Sequence, residues 1–298
     1  MSDGASLPFV VLDVFTDRPY AGNPLAVVMD ADGLSGEQML TITRQFNLSE
    51  TAFPLTPSDT ERAAGADYVL RIFTPGSEVP FAGHPSVGSA WWLAQSGRIP
   101  SGEVHQLCGE GLLPVEVTHS GATLTGGSPV VSAPLDPDRA LASVGLDAGD
   151  LARPEMWISG TGLPFAYVFV TEDALSRCRP DVTVLREEFS HPQPATGVYL
   201  VVWDGERQHA RARMFAGDIG SMEDAATGSA ALGFGALLVA DGELSDGAHE
   251  VTIDQGVEMG RPARLVVSCD VVSGVASRLR VTGGVVKVAE GRIVVPSV

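Results

Sequence analysis

Hydrophobic positions along the chain fall into many short runs and two longer apolar segments rich in small residues. Short runs of Val, Ile, Leu and aromatic residues bounded by Gly, Pro or Asn are typical of strands, and they recur through the whole sequence. The predicted strands cover residues 8–15, 24–29, 50–55, 67–74, 107–117, 122–127, 156–158, 166–171, 199–204, 210–215, 249–256, 263–272 and 277–295.

Three helices are predicted between these strands. The first, in "LSGEQMLTITRQFN", has Ser35 as a candidate N-cap with Gln38 three residues later, the spacing of a capping box. The other two cover His84–Gln95 and the segment "GSAALGFGALLVADG" at 228–242, and both are apolar nearly all round. A helix that is apolar on every side is buried on every side, so we expect strands to surround each of them.

The second apolar helix repeats the first. A shift of 145 positions pairs Gly83 with Gly228 and Gly88 with Gly233, and a shift of 142 pairs the upstream "RIF" with "RMF". Because a strand, a loop and a helix match in the same order, we expect two copies of one unit. The turn-rich segment 126–137 is the candidate linker, which predicts domains at 1–128 and 129–298 and leaves open whether the last strand returns to the first domain.

Composition narrows the classes of function. The chain has 298 residues and a formal net charge of −18, which argues against nucleic-acid and anionic-membrane partners because phosphate binding requires an excess of Lys and Arg. A small anionic substrate would instead bind at the two helix N-termini, where Gly83 and Gly228 let a ligand approach the backbone N–H groups. We therefore expect the two helices to point these ends at a shared cleft.

Neither a metal nor a cofactor is expected. Cys108, Cys178 and Cys269 are widely spaced, which predicts reduced thiols, and His105 beside Cys108 does not make a ligand cluster. No dinucleotide fingerprint or phosphate-loop lysine occurs between a strand and a helix. The first residues lack a basic segment followed by a long apolar run, so we expect a cytoplasmic protein.

Few residues near the predicted helix starts can move protons: Glu50, His84, Glu223, Asp224 and Ser229. Partial burial beside Phe53 would raise the pKa of Glu50 and make it a usable proton carrier, although a plain surface glutamate is the alternative. His84, before Pro85, favours an exposed position in the cleft over an N-cap or a core histidine. Asp224 and Ser229 could equally be helix caps.

The stretches "VFTDRPYAGNPLAVV", "NLSETAF", "RIFTPGSEVPFAGHPSVG", "EDAATGSA" and "QGVEMGRPARL" strongly resemble the PhzF family, the phenazine-biosynthesis-like isomerases related in fold to diaminopimelate epimerase. The resemblance covers residues 14–265. It implies an α+β fold of two pseudo-symmetric domains, each a barrel-like ring of strands around a central helix, with the active site between them. It also implies a homodimer without a cofactor.

Motif by motif, the resemblance implies that Glu50 moves a proton within a small carboxylate-bearing cyclic or conjugated substrate. It assigns catalytic roles to His84, Asp224 and Ser229 as well, and substrate contacts to Gly83 and Gly228. One departure is Ala225, where the family commonly has proline, and it puts the rigidity of that loop in doubt. Substrate specificity is expected from the loops "RQFNLSE" and "HPQPATG".

Two other functions stay open. One is an epimerase or racemase that uses Glu50 and Asp224 as an acid/base pair. Two-thiol racemisation is disfavoured because Ala82 and Ala226 stand at the helix starts where related epimerases have cysteines. The other is a catalytically silent protein that binds a small ligand, because a fold does not determine a function.

Overall fold

In the computed structural model, which describes residues 5–189, 195–217 and 222–297, the chain divides into two compact units. The first contains residues 1–124 and 283–298, and the second contains residues 125–282. The segment 126–137 belongs to the second unit and includes a short strand. The boundary expected between residues 128 and 129 stays a prediction.

The first unit consists of eight principal strands around one helix. Its elements are β1 (Ser6–Val14), β2 (Asn23–Val28), α1 (Gly36–Phe46), β3 (Thr51–Leu55), α2 (Asp59–Ala63), β4 (Tyr68–Phe73), β5 (Glu78–Val79), α3 (Gly83–Gln95), β6 (Gly102–Cys108), β7 (Gly111–Val117), β8 (Gly121–Thr125) and the end of β17 (Val275–Val294). Pairing runs β1-β2-β3-β4-β6-β7-β8-β17 and returns to β1, so the ring is closed.

The second unit repeats this plan around another helix. Its elements are β9 (Val130–Val131), α4 (Asp138–Ser143), a 3-10 turn (Ala148–Asp150), β10 (Leu151–Gly160), β11 (Phe165–Val170), α5 (Glu172–Arg177), α6 (Val182–Glu188), β12 (Val198–Asp204), β13 (His209–Phe215), β14 (Glu223–Asp224), α7 (Gly228–Ala240), β15 (Gly247–Gln255), β16 (Ala263–Val272) and the start of β17. The ladder β10-β11-β12-β13-β15-β16 alternates antiparallel and parallel pairs, as β1-β2-β3-β4-β6-β7 does. The prediction of two related units, each with strands around a central helix, is confirmed.

Small residues let the strands approach both central helices. In α7 every residue except Ser229 and Ala240 is buried. In α3 the first eight residues and Leu93 are buried, whereas Trp91, Trp92 and Ala94 are half-buried and Gln95 is exposed. A Cβ on Gly88 would lie 2.6 Å from Leu25, and one on Gly233 would lie 2.3 Å from the hydroxyl of Tyr167. The absence of a side chain at these two matched positions therefore lets neighbouring groups pack directly against the helix backbone.

The first helix was also predicted correctly. α1 begins after Ser35, whose hydroxyl accepts from the N–H of Gln38 while the Gln38 side chain accepts from the N–H of Ser35. Met39 and Ile42 are buried beneath it.

Among the helices of the described residues, none is long and apolar enough to cross a membrane.

Candidate active site

Glu50 and His84 lie together in the first unit. Glu50 immediately precedes β3, His84 is the second residue of α3, and their side chains are 15% and 4% exposed. The Nε2 atom of His84 is 3.6 Å from Oε2 of Glu50, slightly beyond hydrogen-bond length. Both residues are candidates from the sequence, and their contact joins two segments that are 34 positions apart.

His84 is buried, so the expectation of an exposed cleft position is wrong. The ring packs beside Asn23, the first residue of β2, whose Nδ2 atom lies 3.2 Å from Nδ1 of His84. Burial lowers the pKa of His84 to about 3, so the imidazole is neutral at pH 7. The ring does not cap its own helix, because the N-cap residue of α3 is Ala82 and α3 has no side-chain cap.

In the second unit, Asp224 belongs to a network of buried polar groups. Its Oδ2 atom accepts a 2.7 Å hydrogen bond from the hydroxyl of Thr227, and its backbone carbonyl accepts a 2.8 Å bond from the side chain of Gln255. Gln255 also donates to the Thr227 hydroxyl at 3.0 Å and accepts from Tyr199 at 3.2 Å. Asp224 is thereby held as a hydrogen-bond acceptor at 8% exposure.

Both glycines that are predicted to bind an anion lie at helix starts. Gly83 and Gly228 are the first residues of α3 and α7, and both are buried. Thr227 is the N-cap of α7, but its hydroxyl donates to Asp224 and does not cap the helix. Ser229 is half-buried in the first turn and is not the cap residue. Backbone N–H groups at such uncapped ends favour a negatively charged ligand.

A repeated ion pair stands upstream of each helix. Arg71 donates two 2.7 Å bonds to Glu78, and Arg213 donates bonds of 2.8 and 2.9 Å to Glu223. Each guanidinium also lies over a phenylalanine ring two positions further on, at 5.1 Å in the first unit and 4.9 Å in the second. Glu223, a candidate for chemistry, is therefore a fixed partner of Arg213.

The strand registers identify which positions correspond in the two units. Thr51 stands opposite Phe73 in the first unit, and Val198 stands opposite Phe215 in the second. Phe73 and Phe215 are equivalent, because they are the last residues of the matched "RIF" and "RMF" stretches. Their partners Thr51 and Val198, which begin β3 and β12, are therefore equivalent as well. The residue before β3 then corresponds to the residue before β12. The counterpart of Glu50 is therefore Gly197.

The helix match identifies the other counterparts. His84 corresponds to Ser229, and Glu78 corresponds to Glu223, since both pairs are 145 positions apart. Asp224 then corresponds to Val79, which stands in the second position of the short strand β5 as Asp224 does in β14. The ion pairs are common to the two units, whereas the candidate proton-transfer groups differ.

Asn23, Thr227 and Gln255 were not singled out from the sequence, although all three lie inside quoted motifs. Their contacts join residues up to 61 positions apart, which no local pattern reveals. Of the two expected specificity loops, residues 44–50 are described, whereas residues 191–194 of the second lie outside the described residues.

The cysteines and a cavity in the second unit add no residue to the candidate active site. In the described part of the chain, no three His, Cys, Asp or Glu side chains gather where they could hold a metal ion. Cys108, Cys178 and Cys269 are free thiols. A cavity of about 590 Å³ in the second unit is lined by residues 134–138, 148 and 151–155, and none of the candidate residues lines it.

Comparison with known proteins places these residues in a family context. Residues 12–291 match the PhzC-PhzF family model, described as phenazine biosynthesis-like protein. A trans-2,3-dihydro-3-hydroxyanthranilate isomerase of Pseudomonas aeruginosa is 34% identical over 95% of this chain and 98% of its own, and an uncharacterized isomerase of Mesorhizobium japonicum is 34% identical over 96% and 98%. The crystal structure of a PhzF-family protein of Bacillus anthracis superposes with a TM-score of 0.84 at 26% identity, covering 97% of this chain and 99% of that one.

Proposed function

The chain belongs to the phenazine biosynthesis-like (PhzC-PhzF) family and is an isomerase, and we propose that it moves a proton between two carbons of a small carboxylate-bearing substrate through Glu50. Glu50 removes the proton from one carbon and returns it to another carbon on the same face. The double bond then migrates, and no cofactor takes part. The substrate is cyclic or conjugated, since the negative charge that develops must be delocalised.

The observation that carries this proposal is the contact between Glu50 and His84. The Glu50 side chain is only 15% exposed and has a neutral imidazole 3.6 Å away. A neutral ring near the carboxyl group adds no fixed positive charge that would hold Glu50 permanently ionised. In this proposal Glu50 both accepts and donates the proton, as a shuttle requires.

The remaining candidate residues bind and stabilise the substrate in this proposal. Backbone N–H groups at Gly83 and Gly228 bind its carboxylate, because the positive end of a helix dipole lies there. Asp224 and Ser229 bind its polar groups as charge develops. A protein with a net charge of −18 can hold a small anion in this way without a cluster of lysines.

We further propose that the protein works in the cytoplasm as a homodimer, without nucleic-acid or membrane partners. The substrate class is supported by the P. aeruginosa relative, whose name describes a dihydro-hydroxyanthranilate, which is a cyclic amino acid with ring double bonds.

The test is a screen of small cyclic and conjugated acids in heavy water, with product analysed by mass spectrometry and NMR. We expect deuterium at a new carbon together with a shifted double bond. Deuterium only at the original stereocentre would replace this proposal with the epimerase that uses Glu50 and Asp224. Binding of the acids without any exchange would identify a silent binding protein.

Glu50→Gln is the decisive variant. It keeps the shape of the side chain but cannot carry the proton, so we expect turnover to fall by about 10²–10⁴-fold. Glu103→Gln makes the same chemical change at an exposed position on β6 and should keep full turnover. Equal turnover in the two variants would contradict the role of Glu50.

A further inference from the structure

A sharp turn at Gly22 places Asn23 next to His84. The preceding residue, Gly22, has φ +64, and a Cβ there would lie 2.2 Å from the carbonyl oxygen of Val14, so only glycine fits. The chain thereby turns sharply into β2 and delivers Asn23, which is 1% exposed, to the side of the ring. A buried amide in such a position must be hydrogen-bonded to be tolerated.

The contact determines which nitrogen of His84 carries the proton. The Nδ2 atom of Asn23 can only donate, so Nδ1 of the ring, 3.2 Å away, must accept. The Oδ1 atom of Asn23 faces the Ser49 hydroxyl at 3.5 Å, which fits an oxygen on that side of the amide. A neutral imidazole has a single N–H, and with Nδ1 accepting, that N–H is at Nε2.

We propose that Asn23 is a positioning residue that holds His84 as the Nε2–H tautomer and directs this N–H at the Glu50 carboxyl group. The inference deepens the proposed function, because it concerns the same pair of side chains. With Nε2 protonated, the ring can donate to Glu50 whenever the 3.6 Å contact shortens. The other tautomer would present a lone pair to the carboxylate and repel it.

The second unit supplies an internal comparison. Ala26 stands opposite Thr51, and Ala166 stands opposite Val198 in the matching parallel pair. Counting back three positions from each alanine makes Leu163 the counterpart of Asn23. The amide is thus present in the unit that has a histidine at its helix start and absent from the unit that has Ser229 there.

The tautomer can be measured without any substrate. In protein labelled with ¹⁵N at histidine, two-dimensional NMR through the ring C–H groups distinguishes the protonated from the bare nitrogen, and the spectrum of His84→Gln identifies the His84 signals. We expect a protonated Nε2 and a bare Nδ1 at pH 7. A protonated Nδ1 in the native protein would overturn the proposal, because it would require the Asn23 oxygen to face the ring.

Two variants of Asn23 test whether this residue determines the tautomer of His84. Asn23→Asp replaces the donor with an acceptor, so the proton should move to Nδ1. Asn23→Leu, which introduces the residue of the second unit, should leave a mixture of tautomers. Asn47→Asp adds the same charge at the only other asparagine, which is exposed at the end of α1, and should leave the His84 spectrum unchanged. A native tautomer in both Asn23 variants would refute the role of Asn23.

Kinetics separate this inference from the proposed function. Once a substrate is found, Asn23→Leu should lower kcat by about 10–100-fold with little change in KM, since Asn23 is buried behind the His84 ring and acts through it in this proposal. If Glu50→Gln retained full turnover while the tautomer results were as expected, the proton-shuttle proposal would fail and the assignment of Asn23 would stand. An unchanged kcat in Asn23→Leu with an altered tautomer would show that the tautomer has no catalytic role.

Discussion

The two units share a backbone plan and differ in the residues that can transfer protons. Each has an arginine–glutamate pair before its central helix and a glycine as the first residue of that helix. The first unit adds Glu50 and His84, whereas the second has Gly197 and Ser229 at the corresponding positions. The groups that set the local geometry are common to both units, and the groups that could do chemistry are not.

The difference has a steric basis. A Cβ on Gly197 would lie 2.5 Å from the carbonyl oxygen of Phe215, so the second unit has no room for a side chain where the first has a glutamate. In return, the second unit has Asp224 where the first has Val79. The first unit therefore carries the glutamate–histidine pair, and the second carries the aspartate network.

The largest effect is expected when the glutamate of the first unit is built into the second. Gly197→Glu forces a side chain against backbone atoms that cannot move independently, and we expect it to lower the free energy of unfolding by about 3 kcal/mol or more. Urea denaturation measures this. Gly33→Ala, where a Cβ would meet nothing within 4 Å, is the control and should change stability by less than about 0.5 kcal/mol.

Acidification should affect the first unit through its buried histidine. The folded-state pKa of His84 is about 3 and the unfolded value is 6.5, so between these values the unfolded state binds the extra proton and stability falls as pH falls. The contribution is about 1.4 kcal/mol per pH unit, or about 2.5 kcal/mol from pH 6.5 to pH 4.5. His84→Gln should lose this part of the pH dependence, and His105→Gln, which alters a more exposed ring, should keep it.

Alanine substitutions at the two matched glycines of the central helices, Gly88 and Gly233, should lower the free energy of unfolding by different amounts. Gly233→Ala places a methyl group 2.3 Å from the Tyr167 hydroxyl, which is fixed by its bond to the carbonyl of Ala230, and should cost about 2 kcal/mol. Gly88→Ala meets the flexible end of Leu25 at 2.6 Å and a methyl group of Val14 at 2.9 Å but no backbone atom, and it should cost about 1 kcal/mol. Thermal unfolding of both variants tests the order, and the reverse order would contradict it.

Effects smaller than that of Gly233→Ala are expected at two buried tyrosines that donate to glutamines. Tyr68 donates to Gln106, whereas Tyr199 donates to Gln255, whose oxygen also accepts from the N–H of Thr227. Tyr68→Phe should therefore cost about 1.5 kcal/mol and Tyr199→Phe about 0.5–1 kcal/mol, because only the second glutamine keeps a donor. Equal losses would show that the Thr227 contact does not compensate.

Local signals in the sequence were sufficient for much of the framework. The capping box at Ser35, the two apolar helices and their match at a shift of 145 positions all depend on residues close together in the chain. These signals predicted two related strand-wrapped units, because a helix without a polar face must be covered on all sides. The short helices α2, α4, α5 and α6 were not predicted, since five to seven residues carry too little periodicity.

The candidate site was predictable only in part. Glu50 and His84 were selected by residue type and motif, but their contact and the burial of His84 depend on how β2, β3 and α3 pack. The roles of Asn23 and Gln255 were invisible for the same reason, because a side-chain amide has no pattern that reveals its partner. That Asp224 and Ser229 take part in catalysis stays a prediction.

The 20-residue strand β17 has a consequence for how the protein is made. Its first part pairs with β16 and its last part, up to Val294, pairs with β1, which belongs to the opposite end of the chain. During synthesis the ribosome releases the second unit's residues before the first unit has received its final strand. The amino-terminal unit therefore keeps an open edge beside β1 until the last part of β17 has been synthesised, and so it is the later of the two units to fold completely.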